Sequence, residues 1–158
     1  MLLFEGCGTA LMTPFRKGKI DFPALRRLIA RQLNAGIDAL VACGTTGEPA
    51  AMTEAEWQDT LSFVMDEVQG RVPVIAGTGG NCTAEVIRRA RIARDLGAAA
   101  QLCVTPYYNK TTQAGLIAHY RAIAQDGGLP VIVYNVPSRT GLNMLPATLA
   151  ALAEEENI

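Results

Sequence analysis

Val72-Pro73-Val74-Ile75-Ala76 and Leu129-Pro130-Val131-Ile132-Val133 decide the fold. Each is a short apolar run with a proline at its entrance, where a strand tolerates a missing N–H. Strands are predicted at 8–12, 39–43, 72–76, 99–105 and 131–134, a spacing of roughly 30 residues that matches one strand–helix–strand repeat. The runs are near-continuously apolar rather than alternating, as parallel strands covered by helices are.

The intervening segments have helical period. Phe22, Leu25, Ile29 and Leu33 form one stripe after an Asp21 cap, ending near Gly36. Thr53-Glu54-Ala55-Glu56 reads as a capping box ahead of Leu61, Val64, Met65 and Val68. Thr83 is expected to cap a helix whose inner face is Val86, Ala90, Ala93 and Leu96, stopped by Gly97. Leu116, Ile117, Tyr120, Ile123 and Ala124 make a fourth stripe, and Pro146 opens a fifth helix through Ala153.

Repeated βα units build either a doubly wound sheet or a closed barrel. Gly77-Thr78-Gly79-Gly80-Asn81-Cys82 lacks the last glycine of a dinucleotide fingerprint and follows the third strand rather than the first. The polar and glycine-rich residues instead fall on loops after the strand ends, where a barrel carries its function. The predicted fold is α/β: a TIM (β/α)8 barrel of which this chain supplies about the first five units. Residues 1–158 form one partial-barrel domain, ending before the sixth strand.

At 158 residues with 49% apolar content, the chain is long enough for one domain with a substantial core. The net charge is −1, with acids and bases dispersed, so no basic stripe points to nucleic acid. Apolar runs are strand-sized, which argues against a membrane span. Met1-Leu2-Leu3-Phe4-Glu5 lacks a basic n-region and a long apolar stretch, so a cytoplasmic location is expected. Cys7, Cys43, Cys82 and Cys103 are widely separated and read as buried, reduced thiols, with no metal role. His119, the single histidine, reads as an ordinary, partly exposed helical side chain.

Several loop residues carry chemistry. In Gly44-Thr45-Thr46-Gly47-Glu48 the glycines permit close backbone approach, and two hydroxyls with successive N–H groups suit a carboxylate. A turn with local hydroxyl–backbone bonds is the plainer reading. Tyr134 closes an apolar strand; it is either a core tyrosine with a satisfied hydroxyl or a phenol reaching a site. Arg139 lies in a Pro/Ser/Gly loop, either solvated or poised for bidentate carboxylate recognition. Pro106-Tyr107-Tyr108-Asn109 is an aromatic pair suited to a lid or a subunit contact.

As a set, these segments resemble the dihydrodipicolinate synthase family of pyruvate-dependent class I aldolases and lyases. The resemblance runs from Phe4-Glu5-Gly6 and Thr13-Pro14 through the 44–48 element, Ala76-Gly77-Thr78-Gly79 and 104–109 to Tyr134-Asn135-Val136-Pro137-Ser138-Arg139-Thr140-Gly141. That last stretch favours the synthase over sibling sugar-acid aldolases. The resemblance implies condensation of pyruvate with L-aspartate 4-semialdehyde through a lysine Schiff base, in lysine and diaminopimelate biosynthesis, with no cofactor.

Further roles follow by the same resemblance. Tyr134 is the proton donor and acceptor at the imine, and Thr45 relays protons between Tyr134 and Tyr108. Tyr108 reaches in from a neighbouring subunit of a homo-oligomer, in the family a tetramer built as a dimer of dimers. Thr46 holds the pyruvate carboxylate, and Arg139 receives that of the second substrate. A lysine-feedback site matches Asn81, Glu85 and Tyr107, whereas Pro49, Glu54 and Trp57 occupy positions that often carry serine and histidines in inhibited members.

The family's Schiff-base lysine ends the sixth strand, a few residues beyond an Asn-Ile pair like Asn157-Ile158. Lys17, Lys19 and Lys110 are the only lysines, so the 158 residues alone are expected to be inactive. An N-terminal part of a longer enzyme is favoured over a short protein using a partial barrel for binding or assembly.

Overall fold

The chain alternates strands that prefer full burial with helices that present one apolar face. A computed structural model describes residues 3–158. Its residues group into two compact units, one reaching to Gly77 and including Asp95–Ala99, the other formed by Thr78–Arg94 and Ala100–Ile158.

In the first unit, strand β1 (Gly8–Ala10) leads to a two-stranded hairpin, β2 (Phe15–Arg16) and β3 (Lys19–Ile20). The hairpin replaces the plain loop expected there. Its turn is made by Lys17 and Gly18, at φ 53° and 73°, the left-handed pair that a tight hairpin needs. Helix α1 (Phe22–Asn34) starts where the Asp21 carboxylate accepts from the Ala24 N–H at 2.9 Å, with Pro23 in its first turn. Strand β4 (Ala39–Ala42), helix α2 (Glu54–Val68) and strand β5 (Val74–Gly77) complete the unit.

β1, β4 and β5 form a parallel ladder, with Thr9 opposite Leu40 and Leu40 opposite Val74. β5 is buried throughout, but Gly8 and Ala10 are exposed, so the expectation of a fully covered strand fails for β1. The expected capping box is present: Thr53 accepts from the Glu56 N–H, and the Glu56 carboxylate accepts from the Thr53 N–H at 2.8 Å. Leu25, Ile29, Leu40, Trp57, Leu61, Val64 and Val68 are buried here.

The second unit contains α3 (Thr83–Asp95), β6 (Ala100–Val104), α4 (Gln113–Gly127), β7 (Val131–Tyr134), α5 (Pro137–Thr140) and α6 (Pro146–Leu152). β6 and β7 pair in parallel from Gln101–Val131 to Val104–Tyr134. Val86, Cys103, Leu116, Tyr120, Ile123, Met144 and Leu152 share one core cluster. The Tyr120 hydroxyl donates to the Cys103 carbonyl at 2.9 Å, so its buried phenol is satisfied. Gln101, also fully buried, donates to the Leu129 carbonyl and accepts from the Thr78 hydroxyl at 2.8 Å. The one-turn helix α5, absent from the sequence-based expectation, opens at Pro137.

Candidate active site

The nominated side chains lie at a strand end or on the loop or helix that follows one. In the first unit, β4 runs into Cys43, a buried non-glycine residue at φ 55°. Left-handed backbone is uncommon outside glycine, and here it swings the chain off the strand into a single 3₁₀ turn, Thr45–Gly47. Thr45 and Thr46 are exposed on that turn while Gly44 and Gly47 are buried beneath it. Close approach leaves little room for a side chain at Gly47 and none at Gly77. A Cβ on Gly47 would stand 3.1 Å from the Thr13 hydroxyl, and one on Gly77 would stand 2.2 Å from the Cys43 carbonyl oxygen. The turn rests directly on neighbouring backbone, with its hydroxyls outward.

In the second unit, Tyr134 is the last residue of β7 and half-buried. Its carbonyl accepts from the Thr105 N–H at 3.1 Å, so the strand ladder fixes its backbone. Arg139 lies on α5, exposed, and no other side chain among the described residues holds its guanidinium. An unpaired arginine raised on a rigid turn is available to an incoming carboxylate.

The aromatic pair forms a strained turn. The Asn109 N–H donates to the Tyr107 carbonyl at 2.8 Å, which puts Tyr108 at φ 67° in the centre of a γ-turn. Asn81 and Asn109 brace it: the Asn81 amide donates to the Tyr107 carbonyl at 3.4 Å, and the Asn109 amide to the Asn81 carbonyl at 3.0 Å. Tyr108 is 91% exposed as a result. Strain that holds a large ring out in solvent is the kind of cost a functional site retains.

Asn81, Glu85 and Tyr107 line one cavity of about 180 Å³, with Arg89 and Val86. Glu85 also pairs with Arg88 at 2.9 Å. Trp57 is fully buried, so it presents nothing to a surface ligand.

Two expectations are corrected. His119 is 7% exposed rather than partly solvated, and its Nδ1 pairs with the Thr83 hydroxyl at 2.8 Å. Thr83 therefore spends its hydroxyl on the ring and not on a helix cap. Burial pulls the His119 pKa below the ordinary histidine value. Only Cys43 and Cys103 are buried thiols; Cys7 and Cys82 are exposed. Among the described residues no helix is long and apolar enough to cross a membrane.

Sequence reasoning passed over Asn135 and Gln113. The Asn135 amide bonds to Asn143 and Met144, and the Gln113 amide to Asn143, Leu145 and Thr148. A polar residue directly after a strand-closing tyrosine was the available signal for the first; nothing local marks the second.

Parallel strands that carry polar residues at or just past their ends are those of an α/β protein. The chain belongs to the dihydrodipicolinate synthetase family, whose model matches residues 3–158. It is 51% identical over 154 residues to the 4-hydroxy-tetrahydrodipicolinate synthase of Maridesulfovibrio salexigens, an alignment covering 98% of this chain and 53% of that protein. The crystal structure of dihydrodipicolinate synthase from Aquifex aeolicus matches with a TM-score of 0.95 at 44% identity, over 98% of this chain and 53% of that one. The chloride-inhibited synthase of Acinetobacter baumannii, crystallised with pyruvate, gives 0.95 at 40% identity, over 99% and 54%. The fold is thus that of a TIM (β/α)8 barrel, with about the first five βα units present, and the chain spans about half the length of the relatives it matches.

Proposed function

We propose that this chain supplies the substrate-handling half of a 4-hydroxy-tetrahydrodipicolinate synthase, a cytoplasmic lyase of lysine and diaminopimelate biosynthesis. In this reading a lysine amine outside the 158 residues condenses with the ketone of pyruvate and releases water. Loss of a methyl proton gives the enamine, whose carbon attacks the aldehyde of L-aspartate 4-semialdehyde. The new alkoxide takes a proton, and attack by the substrate's own amine closes the ring and frees the lysine. No cofactor is required.

The observation that carries the reading is the placement, on one short stretch, of a phenol at a strand end and an exposed guanidinium on the following turn. Tyr134 is the proton donor and acceptor, since a phenol passes protons best within a chain of hydroxyls. Thr45 is the relay and Tyr108 its far end, contributed by a neighbouring subunit of a homo-oligomer. The exposure and backbone strain of Tyr108 support a role beyond its own chain. Thr46 takes the pyruvate carboxylate and Arg139 that of the aldehyde. The cavity at Asn81, Glu85 and Tyr107 matches, by resemblance, the family's lysine-feedback site, while Pro49, Glu54 and Trp57 lack the serine and histidines often found in inhibited members, which argues against lysine inhibition.

Two experiments test this. In a full-length protein, Arg139→Ala is expected to weaken use of the aldehyde far more than use of pyruvate; equal losses would remove its role. The 158 residues alone, treated with pyruvate and borohydride, should gain no mass. Lys17 and Lys19 belong to the hairpin, and Lys110 lines a separate cavity of about 320 Å³ beside His119. A pyruvate-sized adduct on Lys110 would overturn the assignment.

A further inference from the structure

We propose that Asn135 and Gln113 are positioning residues that set the reach of Arg139, and through it the affinity for the second substrate; this rests on the role of Arg139 given above. Residues 136–142 arch away from the end of β7 and return at Asn143, Met144 and Leu145. Among the described residues the returning segment has no partner strand. Two side-chain amides stand in for one.

Asn135 accepts from the Met144 N–H at 3.1 Å and donates to the Met144 carbonyl at 3.4 Å and the Asn143 side-chain oxygen at 3.0 Å. It thereby exchanges bonds with Met144 as a paired strand residue does. Gln113, the first residue of α4, donates to the Asn143 carbonyl at 2.9 Å. Its oxygen accepts from the Leu145 N–H at 3.1 Å and the Thr148 hydroxyl at 2.6 Å. Only a carboxamide both donates and accepts in this way, so neither a carboxylate nor an apolar isostere reproduces the set.

Within the arch, the Arg139 N–H and the Thr140 hydroxyl donate to the Val136 carbonyl, and the Gly141 N–H to that of Pro137. Those bonds make the arch stiff but tie it only to itself. Its footing is the two amides, together with the buried side chains of Thr140 and Met144 and the packing of Leu142. Among the described residues Arg139 has no side-chain partner, so its direction follows the footing. Tyr134 is held separately, by the Val104–Tyr134 pairing and the Thr105 N–H. Loosening the arch should move the guanidinium and leave the phenol in place.

The test uses a full-length protein and reads each substrate separately. Asn135→Ala is expected to raise KM for L-aspartate 4-semialdehyde by about ten- to a hundredfold, the scale of a small misplacement of a binding group. KM for pyruvate and borohydride-trapped imine should stay unchanged. Gln113→Glu, which keeps both acceptor bonds and loses one donor, should give a smaller rise in the same direction. Adding Asn135→Ala to Arg139→Ala should raise KM no further, because both act through one contact. Amide exchange at Met144 and Leu145 confirms that the variants fold and that the footing has loosened. An aldehyde KM unmoved by Asn135→Ala, while Arg139→Ala raises it, would overturn the proposal and leave the site reading intact. Equal losses for both substrates in Asn135→Ala would reduce the amides to structural supports. An aldehyde KM insensitive to Arg139→Ala would instead remove the reading on which the proposal stands.

Discussion

The indole N–H of Trp57 donates to the carbonyl of Gly77 across 3.2 Å, tying helix α2 to the last residue of strand β5. The ring is fully buried, and the Cys43 thiol donates to the Trp57 carbonyl at 3.7 Å. Trp57 thus holds the end of β5 through its ring and the residue after β4 through its backbone carbonyl.

Gly77→Ala tests that contact. The added methyl would meet Cys43 and Gly44 backbone atoms at 2.2–2.6 Å, and backbone cannot step aside as a flexible side chain can. A loss of about 1–3 kcal/mol or more is expected, as overpacking costs in a filled core, with a lower urea midpoint at unchanged slope. An unaltered midpoint would show that the strand ends are less tightly apposed than the geometry requires.

Thiol chemistry should divide the cysteines in two. Burial pushes the Cys103 thiol up to about 11, only partly offset by the Thr78 hydroxyl, whereas Cys7 and Cys82 are exposed. Since the thiolate is the nucleophile, iodoacetamide at neutral pH should modify Cys7 and Cys82 in the folded chain. All four should react in denaturant. Rapid native labelling of Cys103 would contradict the packing around it.

His119 should make stability depend on pH. Its folded pKa lies below the unfolded value of 6.5 because burial disfavours the imidazolium. Between those two values the unfolded chain binds more protons, so stability rises with pH across that window and is flat above it. Lowering the pH from 7 through 6.5 therefore costs stability, and His119→Gln should flatten the slope there. Hydrogen bonds from the Thr53 N–H and hydroxyl hold the Glu56 carboxyl below its ordinary value. An identical slope in the variant would mean the ring is not the group responsible.

The fold was legible because its signals are local and repeat. Pro73 and Pro130 at strand entrances, the Asp21 cap and the Thr53–Glu56 box each act within a few residues of chain. The hairpin at Lys17 and Gly18 was not, because two-residue strands carry no periodicity. His119 was misread for another reason: its stripe was counted without knowing that Thr83 would stand 2.8 Å away. Tyr134 and Arg139 are nominated from residue type at and after a strand end, whereas Gln113, whose amide reaches Leu145, acts at a sequence distance that no local pattern encodes.

The phenol of Tyr134 is the most direct point of attack on the proposed chemistry. In a full-length protein supplied with pyruvate and L-aspartate 4-semialdehyde, Tyr134→Phe removes one oxygen from a side chain whose backbone is fixed by β6. The account predicts that kcat falls by about 10²- to 10⁴-fold, the range for losing a positioned acid–base group, while the folded chain keeps its urea midpoint. Turnover equal to that of the unaltered protein would contradict it.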